Sequence, residues 1–176
     1  NDHRGQSFVY GLNNQLVEIY DSTSSLVETN LHDGDGQRVA TVDNSGVNYF
    51  LSGLGSGQVL YELDSSGRGK DIIQAPNGMT VATVDSSGTV KPVLKGVTGS
   101  IQEVGNAQRK YSPFGEREER VSGDTLSAGF HDMWSSAADG IKIAGVRAYD
   151  VDTGRFLTPD PLKYDAGIDH NDSNDF

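Results

Sequence analysis

The chain contains no cysteine, and that single absence removes disulfide frameworks, thiolate metal sites and cysteine nucleophiles together. It does not fix a compartment, because a disulfide is optional once a core exists. Long apolar runs are missing too. No stretch of 18 apolar residues and no basic-then-apolar leader occurs, so the sequence offers no membrane span and no signal peptide. Basic residues are scarce: 14 Lys and Arg stand against 25 Asp and Glu, giving a formal net charge of −11 and a pI near 4.6. A field of that sign repels phosphate backbones and anionic lipid surfaces, which argues against nucleic acid as a partner. The acidity is dispersed along the chain, which suits solubility, with divalent-cation binding as the alternative.

Other sites are absent for want of spacing. His3, His32, His131 and His170 share no interval that makes a metal site. No serine is placed for a nucleophile elbow, and no glycine-rich loop leads into a helix that would hold phosphate. Two acidic stretches, His32–Gly36 and Asp169–Asp175, offer oxygen ligands for calcium. The second lacks the glycine and the acidic twelfth ligand of an EF-hand loop, and the first reads as a hairpin turn, so both are taken as solvated loops. No cofactor and no metal are expected.

What is present is glycine, at 22 of 176 positions, in a chain only 35% hydrophobic. Glycine beside Asp, Asn and Ser is what many short strands joined by tight turns require, so the composition reads as all-β with little helix. A repeat organises it. Val39-Ala-Thr-Val-Asp-Asn-Ser-Gly46 matches Val81-Ala-Thr-Val-Asp-Ser-Ser-Gly88, and half that displacement brings in Asp21, Asp64 and Asn106. Five turns led by Asp or Asn therefore recur every 21 or 22 residues. Runs of alternating or β-branched apolar residues precede them, as at Leu16–Tyr20 and Val59–Leu63. One hairpin per period follows, and successive hairpins paired edge to edge make a continuous sheet. Its open edges should meet the rest of a longer parent chain or other copies. The start at Asn1 and the end at Phe176 agree with a segment of a longer chain. Phe8, Tyr10, Tyr20, Tyr49, Phe50, Tyr61 and Tyr111 fall on these strands, as cross-strand pairs or as a stacking groove for sugars or bases.

The segments Asp35-Gly-Gln-Arg-Val39, Gly57-Gln-Val-Leu-Tyr-Glu62, Gly96-Val-Thr-Gly-Ser100 and Tyr111-Ser-Pro-Phe-Gly-Glu116 resemble successive repeats of Rhs/YD-repeat proteins. Gly145-Val-Arg-Ala-Tyr-Asp-Val-Asp-Thr-Gly-Arg-Phe-Leu-Thr-Pro-Asp-Pro161 is similar to the Rhs-associated core signature. The resemblance implies an array of antiparallel hairpins spiralling into a hollow shell, with the core signature forming a plug. It implies a secreted or cell-surface protein, and in toxin-bearing members a shell enclosing a C-terminal effector that an aspartyl-protease-like centre cuts free. Other members act in adhesion or recognition, and fold alone does not choose between them.

The resemblance also assigns residues. Asp160 matches the family's reactive aspartate and Arg147 its associated arginine, which would orient a carboxylate through a bidentate pair. The second aspartate is expected beyond Phe176, so the chain alone carries half a site. The alternative for Asp160 is a structural turn aspartate paired with Arg147 or Arg155. The expected organisation is hairpin repeats over 1–115, an exposed loop over 116–128 and the plug-like core over 129–176. Phe130 and Trp134 are expected to anchor the last part to the shell, and Ser135 to Asp139 to form one helical turn. Two other roles stay open: an adhesion or self-assembling fibre module using open sheet edges, and part of a self-cleaving protease.

Overall fold

The turns of this chain that open on an aspartate are closed by that same aspartate. In the computed structural model, which describes residues 4–11, 14–53, 58–117, 126–145 and 147–158, Asp64 shows the pattern. Its N–H donates to Arg68 O at 3.0 Å, and Gly67 N–H returns to Asp64 O at 2.9 Å. Its Oδ1 accepts from Ser66 N at 3.0 Å and Arg68 N at 2.9 Å. Asp85 repeats this with Ser87 and Thr89, Asp21 with Thr23 and Ser25, and Asp33 with Asp35 and Gln37. The fourth residue must adopt positive φ, which Gly67 and Gly88 do at 77° and 82°. Ser24 holds the same conformation at φ 64° without that freedom.

These bonds are also charge devices. Asp64 is pushed upward by partial burial, but the donors from Ser66 and Arg68 outweigh this and bring it down to about 2. Asp21 and Asp85 are lowered by the hydroxyls of Thr23 and Ser87 and the turn N–H groups. A carboxylate depressed in the fold contributes stability above its unfolded value, about 3.9, that is lost as pH falls through the folded value. Denaturant midpoints are therefore expected to drop between about pH 4 and pH 2. Asp64→Asn, which keeps the turn acceptor and removes the titration, should flatten that slope; an unchanged slope would refute the assignment.

Turns alternate between the two edges of one sheet. The eleven strands are β1 (Ser7–Tyr10), β2 (Leu16–Tyr20), β3 (Leu26–His32), β4 (Arg38–Asp43), β5 (Gly46–Ser52) and β6 (Val59–Leu63). They continue as β7 (Gly69–Gln74), β8 (Thr80–Asp85), β9 (Val90–Lys95), β10 (Ile101–Val104) and β11 (Ala107–Gln108), paired antiparallel in chain order. One edge carries the turns at Asp21, Asp43, Asp64 and Asp85; the other carries those at Gly11, Asp33, Gly53, Ala75 and Gly96. The 21-residue period thus contains two strands and two turns. Beside every turn of the second row the register slips, as at Tyr10, His32, Ser52, Gln74 and Ile101, whereas on the first row it slips only at Tyr20. Bulges bend a strand and add twist, so the sheet curls unevenly along its two edges.

A second antiparallel sheet follows, of β12 (Trp134–Ser135), β13 (Ile141–Ala144), β14 (Arg147–Asp150) and β15 (Arg155–Phe156). A short 3-10 turn at Phe130–Asp132 precedes it. The helical turn expected over Ser135 to Asp139 does not form. Ser135 pairs with Lys142, and Ser136 N–H donates to Ile141 O at 3.2 Å, so these backbone groups are committed to the sheet. The fold is otherwise antiparallel β and does not close into a barrel. Among the described residues no helix is long and apolar enough to cross a membrane, and no three His, Asp or Glu cluster as a metal would need. The candidate calcium stretch at His32–Gly36 is the Asp33 turn; Asp169–Asp175 lies outside the described residues, as does 118–125 of the expected loop.

Candidate functional site

Alternation along the strands sorts the large sheet into two unlike faces. Cross-strand partners share a face, and Phe50, Glu62, Lys70 and Asp85 form one rung across β5 to β8. That face is covered by residues 126–141, which run back across the sheet as a strap. At its start, Arg109, buried, donates to the carbonyls of Ala128 and of Leu126, the latter at 2.6 Å. Its tip meets β10 and β9: Ile101 N–H donates to Gly129 O at 3.0 Å, His131 N–H to Ser100 Oγ at 3.1 Å, and Lys95 pairs with Asp132 at 2.5 Å. Trp134 then crosses β5 and β4, edge-on to Phe50 at 5.1 Å, with the Arg38 guanidinium 4.8 Å from the Phe50 ring. Further on, Glu28 of β3 accepts from Ser136 Oγ at 2.8 Å and Ala137 N at 2.7 Å. At the far end Gln6 donates to Asp139 O at 3.2 Å, and Arg4 pairs with Asp150 at 3.1 Å and Asp152 at 2.5 Å.

Two apolar clusters lie under this strap. Leu16, Ile19, Ala138, Ile141, Ile143 and Ala148 make one; Ile72, Val93, Ile101, Val104, Leu126 and Ala128 make the other. Trp134 packs against both. The expectation that Trp134 ties this segment to the hairpin array matches that position. Phe130 lies 5.8 Å from Tyr111 and 6.3 Å from Tyr149, joining the end of the array to the smaller sheet.

The seam between sheet and strap is unusually charged. Glu28, Glu62 and Asp150 are 2%, 4% and 1% exposed, so their charge must be met inside the protein. Glu62 pairs with Lys70 at 2.5 Å; burial nevertheless raises its carboxyl, against the opposing pull of Lys70 and Ser127. Burial lowers Arg38 to about 10, against the carboxylates of Glu28 and Glu62 on either side. Sequence reasoning missed this row. The signal was available, since Glu28, Arg38 and Glu62 interrupt strands at alternation positions shared with apolar residues.

Of the two residues singled out from the sequence, only Arg147 is among those described. It stands at the start of β14 with its guanidinium 3.8 Å from the Phe156 ring centroid. Asp160 lies outside the described residues, so the structure does not place the two relative to one another.

No protein-family profile and no curated protein matches the chain. Solved structures do. The chain superposes on the crystal structure of TcdB2-TccC3-TEV with a TM-score of 0.65 at 17% identity, covering 90% of this chain and 9% of that one. TcdB2-TccC3 without its hypervariable C-terminal region gives 0.63 at 18% identity, with the same coverage. A Photorhabdus luminescens Tc holotoxin pore carrying an aspartate-to-alanine substitution in TccC3 gives 0.59 at 18% identity, over 89% of this chain and 9% of that one. The fold is shared with these Rhs/YD-repeat shell proteins. The shared region takes in nine tenths of this chain, which spans about a tenth of the length of those proteins.

Proposed function

We propose that this chain is a wall segment of an Rhs/YD-repeat shell that encloses a C-terminal effector for toxin delivery outside the producing cell. The observation that carries the reading is the shared fold over 90% of the chain with TcdB2-TccC3 proteins, of which it spans 9% of the length. One of those structures is of TcdB2-TccC3 without its hypervariable C-terminal region, and hypervariability at that end is the feature a delivered effector would show. Residues 1–115 then supply wall, and 129–176 supply plug, with the strap fixing one to the other.

Arg147 and Asp160 serve as half of a self-cleaving aspartyl centre in this reading. β15 hands the chain to Leu157, whose N–H donates to Ala148 O at 2.9 Å, so the next residue continues beside Arg147. Cleavage needs a second carboxyl, one acting as base towards water and the other as acid towards the amide. Asp160→Asn in the full-length chain is expected to leave a single intact band on a gel where the wild type yields shell and effector fragments. Fragments in wild-type proportion from the variant would overturn this assignment.

A further inference from the structure

The tip of the strap is held in a backbone conformation that its residues resist. His131 has φ 48° and ψ 36°, and Asp132 has φ 59°, so two consecutive residues with side chains are left-handed. L-residues visit that region singly and at a steric cost, and among the described residues no other non-glycine pair does so in succession. The turn is closed by Asp132 N–H to Gly129 O at 3.3 Å and by Met133 N–H to Phe130 O at 2.9 Å. A charge fastens it to the sheet. Lys95 Nζ, on a side chain 7% exposed, reaches Asp132 Oδ2 at 2.5 Å, while the Asp132 side chain stays 52% exposed. An ion pair so open to water returns little and is screened by salt, whereas each residue held left-handed costs at least as much. The tip therefore sits near balance.

It also has room to move. The stretch from Asp132 to Trp134 runs between two clefts, one of about 380 Å³ beside Gly36, Arg38 and Ser52, the other of about 190 Å³ beside Ile72, Gln74 and Leu126. Asp132 and Trp134 line both, so open space flanks this stretch even though the indole touches both apolar clusters. On either side the strap is fixed more firmly. Buried Arg109 holds the carbonyls of Leu126 and Ala128, Phe130 stacks between Tyr111 and Tyr149, and buried Glu28 holds Ser136 and Ala137. We infer that the tip is a strained, salt-sensitive catch: the pair of Lys95 with Asp132 keeps residues 131–133 closed on the sheet, and screening it lets them move into the flanking space. The flank of the Trp134 indole is then uncovered while the sheet and both ends of the strap stay in place. This device needs neither an effector nor self-cleavage.

Trp134 is the only tryptophan of the sequence, so acrylamide quenching of its fluorescence reads the catch in the full 176-residue chain. Quenching should rise as sodium chloride is raised from about 0.05 M to about 1 M. Lys95→Met is expected to quench about twofold more strongly at low salt, with no further response to salt and with the far-ultraviolet circular dichroism in place. Adding His131→Gly should reverse this, because glycine holds positive φ without strain and removes the drive to open. Adding His131→Ala, which removes the same imidazole but keeps the strain, should not. His131→Gly alone should quench less than the wild type and respond less to salt, which tests the strain even where Lys95→Met fails to fold. Quenching of the wild type that ignores salt, or equal effects of glycine and alanine at 131, overturns the inference.

Discussion

Trp134→Ala is expected to lower the stability of the chain by about 3 kcal/mol and to release the strap from the sheet. Among the described residues, Trp134 is the one side chain that packs against both apolar clusters. Truncating it opens a cavity at their junction, removes the edge-on contact with Phe50 and takes away the ring 5.7 Å from the Arg38 guanidinium. The loss is placed at about 3 rather than the upper limit near 5 kcal/mol because the indole is only half-buried. Urea denaturation reads the total. Limited proteolysis reads the place, since cleavage should move into 126–158 while the hairpins stay resistant. A loss under 1 kcal/mol with an unchanged cleavage pattern would show that the strap is held elsewhere.

Glu28→Ala should cost a comparable amount, about 3 kcal/mol, for a different reason. The carboxylate satisfies Ser136 Oγ, Ala137 N and, at 2.9 Å, Asn30 Nδ2, and it is 2% exposed. Alanine would leave these donors without an acceptor and Arg38 without one of its two neighbouring carboxylates. Glu28→Gln keeps the shape and one acceptor oxygen but turns an NH₂ toward a donor, so about half the loss is expected. If glutamine costs as much as alanine, the charge rather than the hydrogen-bond pattern holds the strap. Equal stability of all three proteins would remove Glu28 from the latch altogether.

How much of this was legible in the sequence differs between wall and strap. Asp21, Asp64 and Asp85 announce their turns because the bonds that close each turn lie within five residues. The second row of turns is less uniform. Ala75-Pro-Asn-Gly78 and Gly96-Val-Thr-Gly99 share only the final glycine with Asp33-Gly-Asp-Gly36, so the period appeared to hold one turn where it holds two. Of the strap, only the aromatic anchors Phe130 and Trp134 were legible. Its polar contacts join residues 108 apart, as in Glu28 with Ser136, or 133 apart, as in Gln6 with Asp139, and no local pattern records such a pairing. The helix expected over Ser135 to Asp139 failed for a local reason, since the neighbouring strand β13 claims the backbone of Ser135 and Ser136. The buried charges of the covered face at Glu28 and Glu62 could have been read from alternation, had those positions in β3 and β6 been taken as inward.

The strap also sets an order of events. Its contacts are nested: Ile101 with Gly129 lies inside Phe50 with Trp134, which lies inside Glu28 with Ser136 and then Gln6 with Asp139. Made alone, the outermost contact must close a loop of more than a hundred residues; made after its inner neighbour, it closes a few tens. The chain is thus built to zip from β10 towards β1, and a pull on its far end would undo it one tooth at a time, the first strand let go first.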